Sequence, residues 1–201
     1  GTVLYAALTN GSGNYAITGV AAGSYTAAAI ATDYTTGVVG VTATAGGTTT
    51  ADFALQLEPG TVSGIVTSSS VAISGAQVEI KSGDIVVGTA VTDNAGGYAI
   101  AGVAPGAYVV DAYAAGYQTG TAGVIVVSNS LSTTNFSLQL DPGTISGTVT
   151  AASGGLPIVS ALVEVANGGL VISSALTDSS GHFTITGVAP GSYSVSAAVP
   201  T

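Results

Sequence analysis

The sequence contains no cysteine, methionine or tryptophan, and it is almost without positive charge. Lys81 is its single cation against ten acidic residues and His182 its single histidine, so the formal net charge of the 201 residues is −9. Nucleic-acid binding is excluded because it requires several cations that displace phosphate counterions. Disulfide frameworks, thiolate nucleophiles, cysteine-ligated zinc and multi-histidine metal sites are excluded by the same composition. Structural and binding proteins are the classes left open.

Long hydrophobic runs are also missing, although hydrophobic residues make up 47% of the chain. A membrane-spanning helix needs about 20 consecutive apolar residues. The runs here are short, as in Val124–Val127, and glycine, serine or threonine interrupts them. We therefore expect no membrane span. No cationic start followed by an apolar core marks a leader, and the sequence begins within its own repeat, so we expect any leader upstream of Gly1.

An internal repeat organises the chain. The decapeptide Leu55–Gly64 returns as Leu138–Gly147, 83 residues later, and in a third copy of the repeat Thr177-Asp178 matches Thr92-Asp93 at an offset of 85. The sequence predicts a first repeat at 1–59 that lacks its opening strands, a complete repeat at 60–142, and a third at 143–201 that lacks its closing strands. Two explanations remain open: the sequence is part of a longer array, or neighbouring chains complete the outer repeats by pairing with their strand edges.

Within the middle repeat, hydrophobicity alternates with a period of two, which indicates β-strands. Ala76, Val78 and Ile80 are predicted to face one way, and Gln77, Glu79 and Lys81 the other. The predicted strands are 61–66, 76–81, 85–92, 98–103, 108–113, 124–128 and 135–140. Turn-forming residues separate them, as in Asp93–Gly97 and Ala104–Gly106. Seven short strands in about 83 residues predict an all-β fold, a small antiparallel sandwich.

Signature motifs recur at matching positions of the repeats. The middle repeat carries Gly60–Val66, Thr92-Asp93-x-x-Gly96-x-Tyr98-x-Ile100 and Gly102-Val103-x-Pro105-Gly106-x-Tyr108, and the third carries the same set from Gly143 to Tyr193. The first repeat departs with Asn10 for the aspartate and Ala22 for the proline. By these motifs the chain resembles the carboxypeptidase regulatory-like domain. The resemblance implies tandem seven-stranded antiparallel Greek-key β-sandwiches of the Ig-like, transthyretin-like type, related to collagen-adhesin B-type repeats, with accessory, spacer or adhesive roles and no enzymatic activity.

Two groups of residues are candidates for chemistry. Asp178, Ser180 and His182 combine an acid, a hydroxyl and a base in one tight turn, where residues so close rarely reach the geometry of a catalytic triad. His182 aligns with Gly97 and Asn14, so we interpret it as a tolerant turn position. The turns at Asp93 and Asp178 offer oxygen ligands but one carboxylate each, whereas calcium takes 6–8 oxygens. We therefore predict amide-capped turns, with calcium as the alternative, and assign no catalytic, cofactor-binding or metal residues and no cofactor.

Five positions are candidates for modification or ligand binding. A lysine–asparagine cross-link would need Lys81, whose counterpart in the third repeat is Ala166, so a general cross-link is excluded. Asn10 and Asn135 lie in N-glycosylation sequons. Tyr113 and Tyr34 are candidates for stacking on sugars, although we favour packing at joints between domains. Glycans, bound or covalently attached, are therefore possible partners besides the chain itself.

The near absence of charge favours a structural function. Charged residues make up 5% of the chain, against about 25% in a typical soluble domain. Faces without charge lose little on desolvation, and identical faces at fixed spacing favour contacts that do not close. The sequence predicts a subunit of an extracellular or cell-surface fibre, filament or stalk that self-associates through low-charge faces and strand exchange. The alternatives are an adhesin or carbohydrate-binding spacer module of a larger secreted protein, and an accessory domain of a peptidase.

Overall fold

The computed structural model describes residues 2–199, and the described residues contain β-strands and no helix. Gly1 and residues 200–201, at the outer ends of the first and third predicted repeats, lie outside them. The strands are β1 (Gly23–Ala29), β2 (Gly37–Ala43), β3 (Gly60–Ser68), β4 (Val71–Ala72), β5 (Gln77–Ser82), β6 (Ile85–Val91), β7 (Gly97–Val103), β8 (Gly106–Tyr113), β9 (Gly120–Val126), β10 (Leu131–Thr133), β11 (Phe136–Ser137), β12 (Gly143–Thr148), β13 (Leu162–Asn167), β14 (Leu170–Leu176), β15 (His182–Val188) and β16 (Ser194–Ala198). The predicted all-β class is confirmed. Residues 2–199 hold no helix that is both long and apolar enough to cross a bilayer.

The chain forms two compact units. One comprises residues up to 62 together with 101–107 and 125–132, and the other comprises 63–100, 108–124 and the chain from 133 onward. In the first unit, β1 and β2 form an antiparallel hairpin, from Gly23 opposite Ala43 to Ala29 opposite Gly37. The following segment returns to the hairpin loop, where the Glu58 amide donates to the Asp33 carbonyl over 2.7 Å.

In the second unit, β5 pairs antiparallel with β6 and β8 in a sheet ordered β6-β5-β8-β9. The predicted alternation holds, because Val78 and Ile80 are fully buried on one face while Glu79 and Lys81 lie half-buried on the other. A Cβ added to Gly88 of β6 would lie 2.7 Å from the side chain of Ile100 on β7. Gly88 therefore leaves room for the Ile100 side chain at this point of β6.

The last strand of the middle repeat differs from its prediction. Of the predicted strand 135–140, β11 alone forms, and it pairs parallel to β3, with Phe136 opposite Val66. Its neighbours hold their places by other bonds: the Ile65 amide donates to Asn135 Oδ1 over 2.9 Å, and the Leu138 amide donates to the Thr67 carbonyl over 2.7 Å. A side-chain amide thus replaces part of the ladder. The predicted strand 124–128 begins earlier, at Gly120.

The third repeat consists of a sheet ordered β14-β13-β16 and a separate antiparallel pair, β12 with β15. Its core is the buried cluster Val163, Val165, Ile185 and Val188, with Ile145, Val149 and Phe183 packed against it. The β13–β14 hairpin turns at Gly168 and Gly169, with φ of 57° and 87°. This left-handed backbone is open to glycine at little cost, which explains the hairpin at this point.

In the first repeat, residues 2–22 form no strand, although 2–8 and 14–20 align with β6 and β7. In the middle repeat β6 pairs with β5, and β7 pairs with β3. Residues 1–59 contain no counterpart of either partner strand. Alternating sequence is therefore insufficient here, because a strand also needs a partner for its backbone groups.

Candidate functional site

Side-chain-capped turns occur at the same place in all three repeats. The Oδ1 atom of Asp93 accepts hydrogen bonds from the amides of Ala95 and Gly97, each at 2.8 Å. Asp178 does the same for Ser180 and His182 at 2.8 and 2.9 Å, as does Asn10 for the amides two and four residues on. The bonds from His182 and Ser180 hold the pKa of the Asp178 carboxyl below its usual range. These oxygens are committed to the backbone of their own turns.

The candidate acid–hydroxyl–base group lies in one of these turns. His182 is exposed, and its amide donates to Asp178 Oδ1 while its carbonyl accepts from the Asp178 amide over 2.8 Å. Across residues 2–199, no hydrogen bond is found that joins the side chains of Asp178, Ser180 and His182 to one another. Each hydrogen bond among these three residues therefore involves a backbone amide or carbonyl group. That no side chain here is catalytic stays a prediction.

Metal coordination has no preformed cluster in the described part of the chain. No three histidine, cysteine, aspartate or glutamate side chains come together there in a way that could hold an ion. The calcium alternative at Asp93 and Asp178 would have to use the second carboxylate oxygen of each turn together with neighbouring carbonyls. It stays a prediction.

Lys81 is the centre of a polar network on the outer face of the β6-β5-β8-β9 sheet. Its Nζ donates to Asp111 Oδ2 at 2.9 Å and to Tyr113 Oη at 2.8 Å, and it lies 3.5 Å from Glu79 Oε2. Thr121 donates to the other Asp111 oxygen at 2.7 Å. Tyr113 and Asp111 raise the pKa of Lys81, and Lys81 and Thr121 lower the pKa of Asp111. Both groups are held in their charged forms.

This geometry bears on cross-linking. Within the described chain, the groups that contact the Lys81 ammonium are two carboxylates and a phenol, and none is an asparagine. Formation of an amide requires a neutral amine, whereas the network favours the ammonium ion. The chemistry of this site is that of an ion pair. The network also belongs to the middle repeat, because the third repeat has Ala166, Ser196 and Ala198 in place of Lys81, Asp111 and Tyr113.

The tyrosine and asparagine candidates lie in different settings. The Nζ atom of Lys81 lies 2.8 Å from the Tyr113 hydroxyl oxygen and 5.5 Å from the centroid of the ring, so the ammonium lies at the hydroxyl end of the ring. Tyr34 is 40% exposed and forms an isolated antiparallel bridge with Leu57. Asn10 and Asn135 are both exposed, and each uses its carbonyl oxygen as an acceptor within its repeat. An open groove next to Tyr113 is lined by Gly75, Gln77, Ala114, Ala115, Tyr117 and Thr119.

The outer repeats expose apolar side chains that the sequence alone did not identify as exposed. Val110 is fully buried, whereas its counterpart Val195 is 48% exposed. Ile100 is 4% exposed, whereas its counterpart Ile17 is 38% exposed. Alignment of each outer position with its buried counterpart in the middle repeat is the signal that identifies these faces. They are core residues by sequence and surface residues by structure.

Comparisons with known proteins agree with the architecture. A family model described as the carboxypeptidase regulatory-like domain matches residues 61–139 and 144–201. No curated protein is significantly similar in sequence.

Several solved structures are similar to the chain at low identity. The chain is similar to the streptococcal ancillary pilin at 16% identity, over 92% of this chain and 69% of that one, with a TM-score of 0.41. It is similar to the TIE protein of Bacillus anthracis at 14% identity, over 95% of this chain, with a TM-score of 0.43. The chain spans 42% of the TIE protein. A 27% identical match to a cohesin–X-dockerin complex from Acetivibrio cellulolyticus covers 41% of this chain and 58% of that one, with a TM-score of 0.35.

Proposed function

We propose a function from the premise that this chain belongs to the carboxypeptidase regulatory-like domain family, whose model covers residues 61–139 and 144–201. The chain is a structural segment of an extracellular or cell-surface fibre, filament or stalk made of tandem β-sandwich repeats. It associates with further copies of itself. No step of this function requires a cofactor, a metal ion or a catalytic residue.

The observation that carries the proposal is the contrast between Val110 and Val195. Both are core positions of the same strand in successive repeats, but one is fully buried and the other is 48% exposed. In the middle repeat the closing segment that includes β9, β10 and β11 follows β8, and residues 143–201 contain no counterpart of it. An apolar face of this kind is stabilised when a strand covers it, since burial gains roughly 25 cal/mol per Å² of apolar surface.

Low charge supports the same function. The described chain has one cation, and Asp111 and Glu79 lie beside it, so no basic patch is available for an anionic partner. Faces of serine, threonine, alanine and valine meet with little desolvation cost, and depletion of charge is the signature of interface cores. Another copy of the chain presents the same low-charge faces at every repeat, so it is the partner that fits them.

The first test is the state of association of the 201-residue chain. We expect sedimentation velocity to show species that grow with concentration, and electron microscopy to show filaments or end-to-end chains. Monodisperse monomers at millimolar concentration without filaments contradict the proposal.

The second test addresses strand exchange. A peptide of residues 117–142 carries the closing segment of the middle repeat, and we expect it to bind the chain and to slow amide hydrogen exchange in β16. The control peptide carries Phe136→Asp and Leu138→Asp, which replace two side chains that are buried in the middle repeat. Equal binding of both peptides, or of neither, contradicts strand exchange while leaving association by faces to the first test.

A carbohydrate-binding spacer is the second candidate, and the groove lined by Gln77, Tyr113, Tyr117 and Thr119 favours it. Aromatic rings, an amide and a hydroxyl are the groups that bind sugars by stacking and hydrogen bonds. Binding on a glycan array that Tyr117→Ala abolishes supports this function. An array without binding removes it.

A further inference from the structure

Two outermost strands of the second unit share one design. β6 ends the sheet β6-β5-β8-β9, and β14 ends the sheet β14-β13-β16. The two strands lie 85 residues apart in sequence and have the same pattern of exposure along all seven residues. Each exposes four large apolar side chains: Ile85, Val86, Val87 and Val91 on β6, and Leu170, Val171, Ile172 and Leu176 on β14.

Neither strand carries the devices that normally protect a sheet edge. Soluble proteins place lysine, proline or an inward-pointing charge on such strands, because the free N–H and C=O groups otherwise pair with another chain. Ile85–Val91 and Leu170–Leu176 contain none of these residues. A seven-residue strand that is uncharged, free of proline and mostly apolar has the composition of a self-pairing segment.

The surroundings distinguish the two edges. Next to β6, the outer face of the sheet carries Glu79, Lys81 and Asp111. At the corresponding positions next to β14 stand Glu164, Ala166 and Ser196, and Leu162 pairs with Leu176 where the middle repeat has Gln77 opposite Val91. The surface beside β14 is therefore the more apolar of the two.

Charge also distinguishes the sheet edge at β6 from the one at β14. Each copy has a net charge of −9, so copies repel wherever acidic residues come close to one another. Asp84 immediately precedes β6 and Asp93 follows it closely. If β6 paired antiparallel with β6 of a second copy about Gly88, Asp84 of each copy would lie beside Asp93 of the other. Residues 165–177 contain no charged side chain. In the equivalent pairing of β14 about Ser173, Asp178 lies near Asn167 and Gly168 of the second copy instead of near an acid.

We propose that β14 is a self-pairing edge, at which Leu170–Leu176 joins antiparallel to the same strand of a second copy and forms a continuous six-stranded sheet. The proposal rests on the self-association proposed above and names its contact. The pairing sets Leu170 opposite Leu176 and Ile172 opposite Ser174 across the contact. It is symmetric, so it links chains two by two along their sides.

The test compares Ile172→Lys with the matched control Val87→Lys in the 201-residue chain. Ile172 and Val87 occupy the same position of the two strands and are 45% and 47% exposed. A lysine reduces the net negative charge in either variant, so weaker association of one variant alone reports a blocked edge. We expect Ile172→Lys to weaken dimerisation at least 10-fold in sedimentation velocity, and Val87→Lys to leave it within 2-fold. The circular dichroism of both variants should match the parent chain.

A second measurement locates the contact directly. The chain has no cysteine, so Ser174→Cys and its counterpart Thr89→Cys each provide a single site for a spin label. In the pairing about Ser173, Ser174 is the diagonal neighbour of Ser174 in the second copy, about 7–8 Å away, so we expect short-range spin–spin broadening for Ser174→Cys and none for Thr89→Cys.

Dimers that persist equally in both lysine variants, without broadening at position 174, overturn the β14 contact and leave self-association standing. A chain that stays monomeric at every concentration overturns both.

Discussion

The middle and third repeats share their internal bonds and differ in what covers them. In both, a buried threonine ties the same loop: Thr92 donates to the Ile73 carbonyl and Thr177 to the Ile158 carbonyl, each at 2.6 Å. In both, an aspartate caps the next turn. The difference is the closing segment, which is present after β8 and without a counterpart in residues 143–201. Burial in this fold is therefore decided by strand partners and not by the residue alone.

One aromatic position differs between the repeats. The Tyr98 hydroxyl donates to the carbonyl of Thr134 in the closing segment over 2.6 Å, and Tyr15 bonds the corresponding residue Ala51 at the same distance. Burial raises the pKa of Tyr98 to about 12. The third repeat has Phe183 here, which has no hydroxyl to satisfy. Tyr98 and Tyr15 each donate to a carbonyl of the closing segment of their own repeat, and Phe183 has no such donor.

The largest difference between the repeats is expected at a pair of glycines. A Cβ at Gly64 would overlap the Thr134 carbonyl oxygen, whereas one at Gly147 would lie 2.9 Å from the Phe183 ring, which can move. We expect Gly64→Ala to lower the free energy of unfolding by about 3 kcal/mol and Gly147→Ala by about 1 kcal/mol. Urea unfolding followed by circular dichroism measures both. Equal losses would mean that the closing segment does not define the middle repeat.

A core valine gives the second test. Val110→Ala removes two methyl groups from a fully buried site and should cost about 2 kcal/mol, whereas Val195→Ala alters a half-exposed site and should cost less than about 0.5 kcal/mol. Thermal unfolding compares the two variants. If saturating peptide 117–142 raises the cost of Val195→Ala toward that of Val110→Ala, the segment covers β16. An unchanged cost argues against it.

The capped turns should respond alike in both repeats. Asp93→Ala deletes the acceptor of two amides and should cost about 1 kcal/mol, and Asp93→Asn should cost less because Asn10 makes the same bonds in the first repeat. Asp178→Asn is the matched variant in the third repeat. Urea midpoints that fall equally for the alanine and asparagine variants of Asp93 would show that the carboxylate charge, and not the acceptor, stabilises the turn.

The dependence of stability on pH follows from Asp178 and Asp111. Their pKa values are lowered in the folded state from an ordinary value of 3.8, so their contribution is present above about pH 4 and is lost as the pH falls through the folded values. We expect the melting temperature to decrease below pH 4. Asp178→Asn should flatten that decrease for the third repeat, and an unchanged pH profile would contradict the assignment.

The smallest effect is expected when two charged residues on the outer sheet face of the middle repeat are replaced by their counterparts from the third repeat. Lys81→Ala combined with Asp111→Ser introduces the residues found at Ala166 and Ser196, and ion pairs at a surface contribute little. The melting temperature should change by a few degrees at most, and association should strengthen because the edge at β6 loses its nearby charges. Weaker association in sedimentation velocity would contradict this view of the ion pair.

Much of this fold is predictable from the sequence, because the relevant signals are local. Alternation identifies β5 and β8, and the motif around Asp93 predicts a turn that the structure contains. The contact between Lys81 and Asp111 was not predictable, since it depends on the register of β5 against β8. The parallel pairing of β11 was missed because it involves two residues and an asparagine side chain. The missing strands in residues 2–20 required knowledge of partners, which alternation does not contain.

The turn at Asn10 forms although no strand flanks it on either side. Its bonds lie within five consecutive residues, so it needs nothing from the rest of the chain. Each repeat therefore contains a turn that can form before the strands on either side of it pair with their partners. In a polymer of such repeats, the turn of the end repeat can form before the strands of that repeat have found partners.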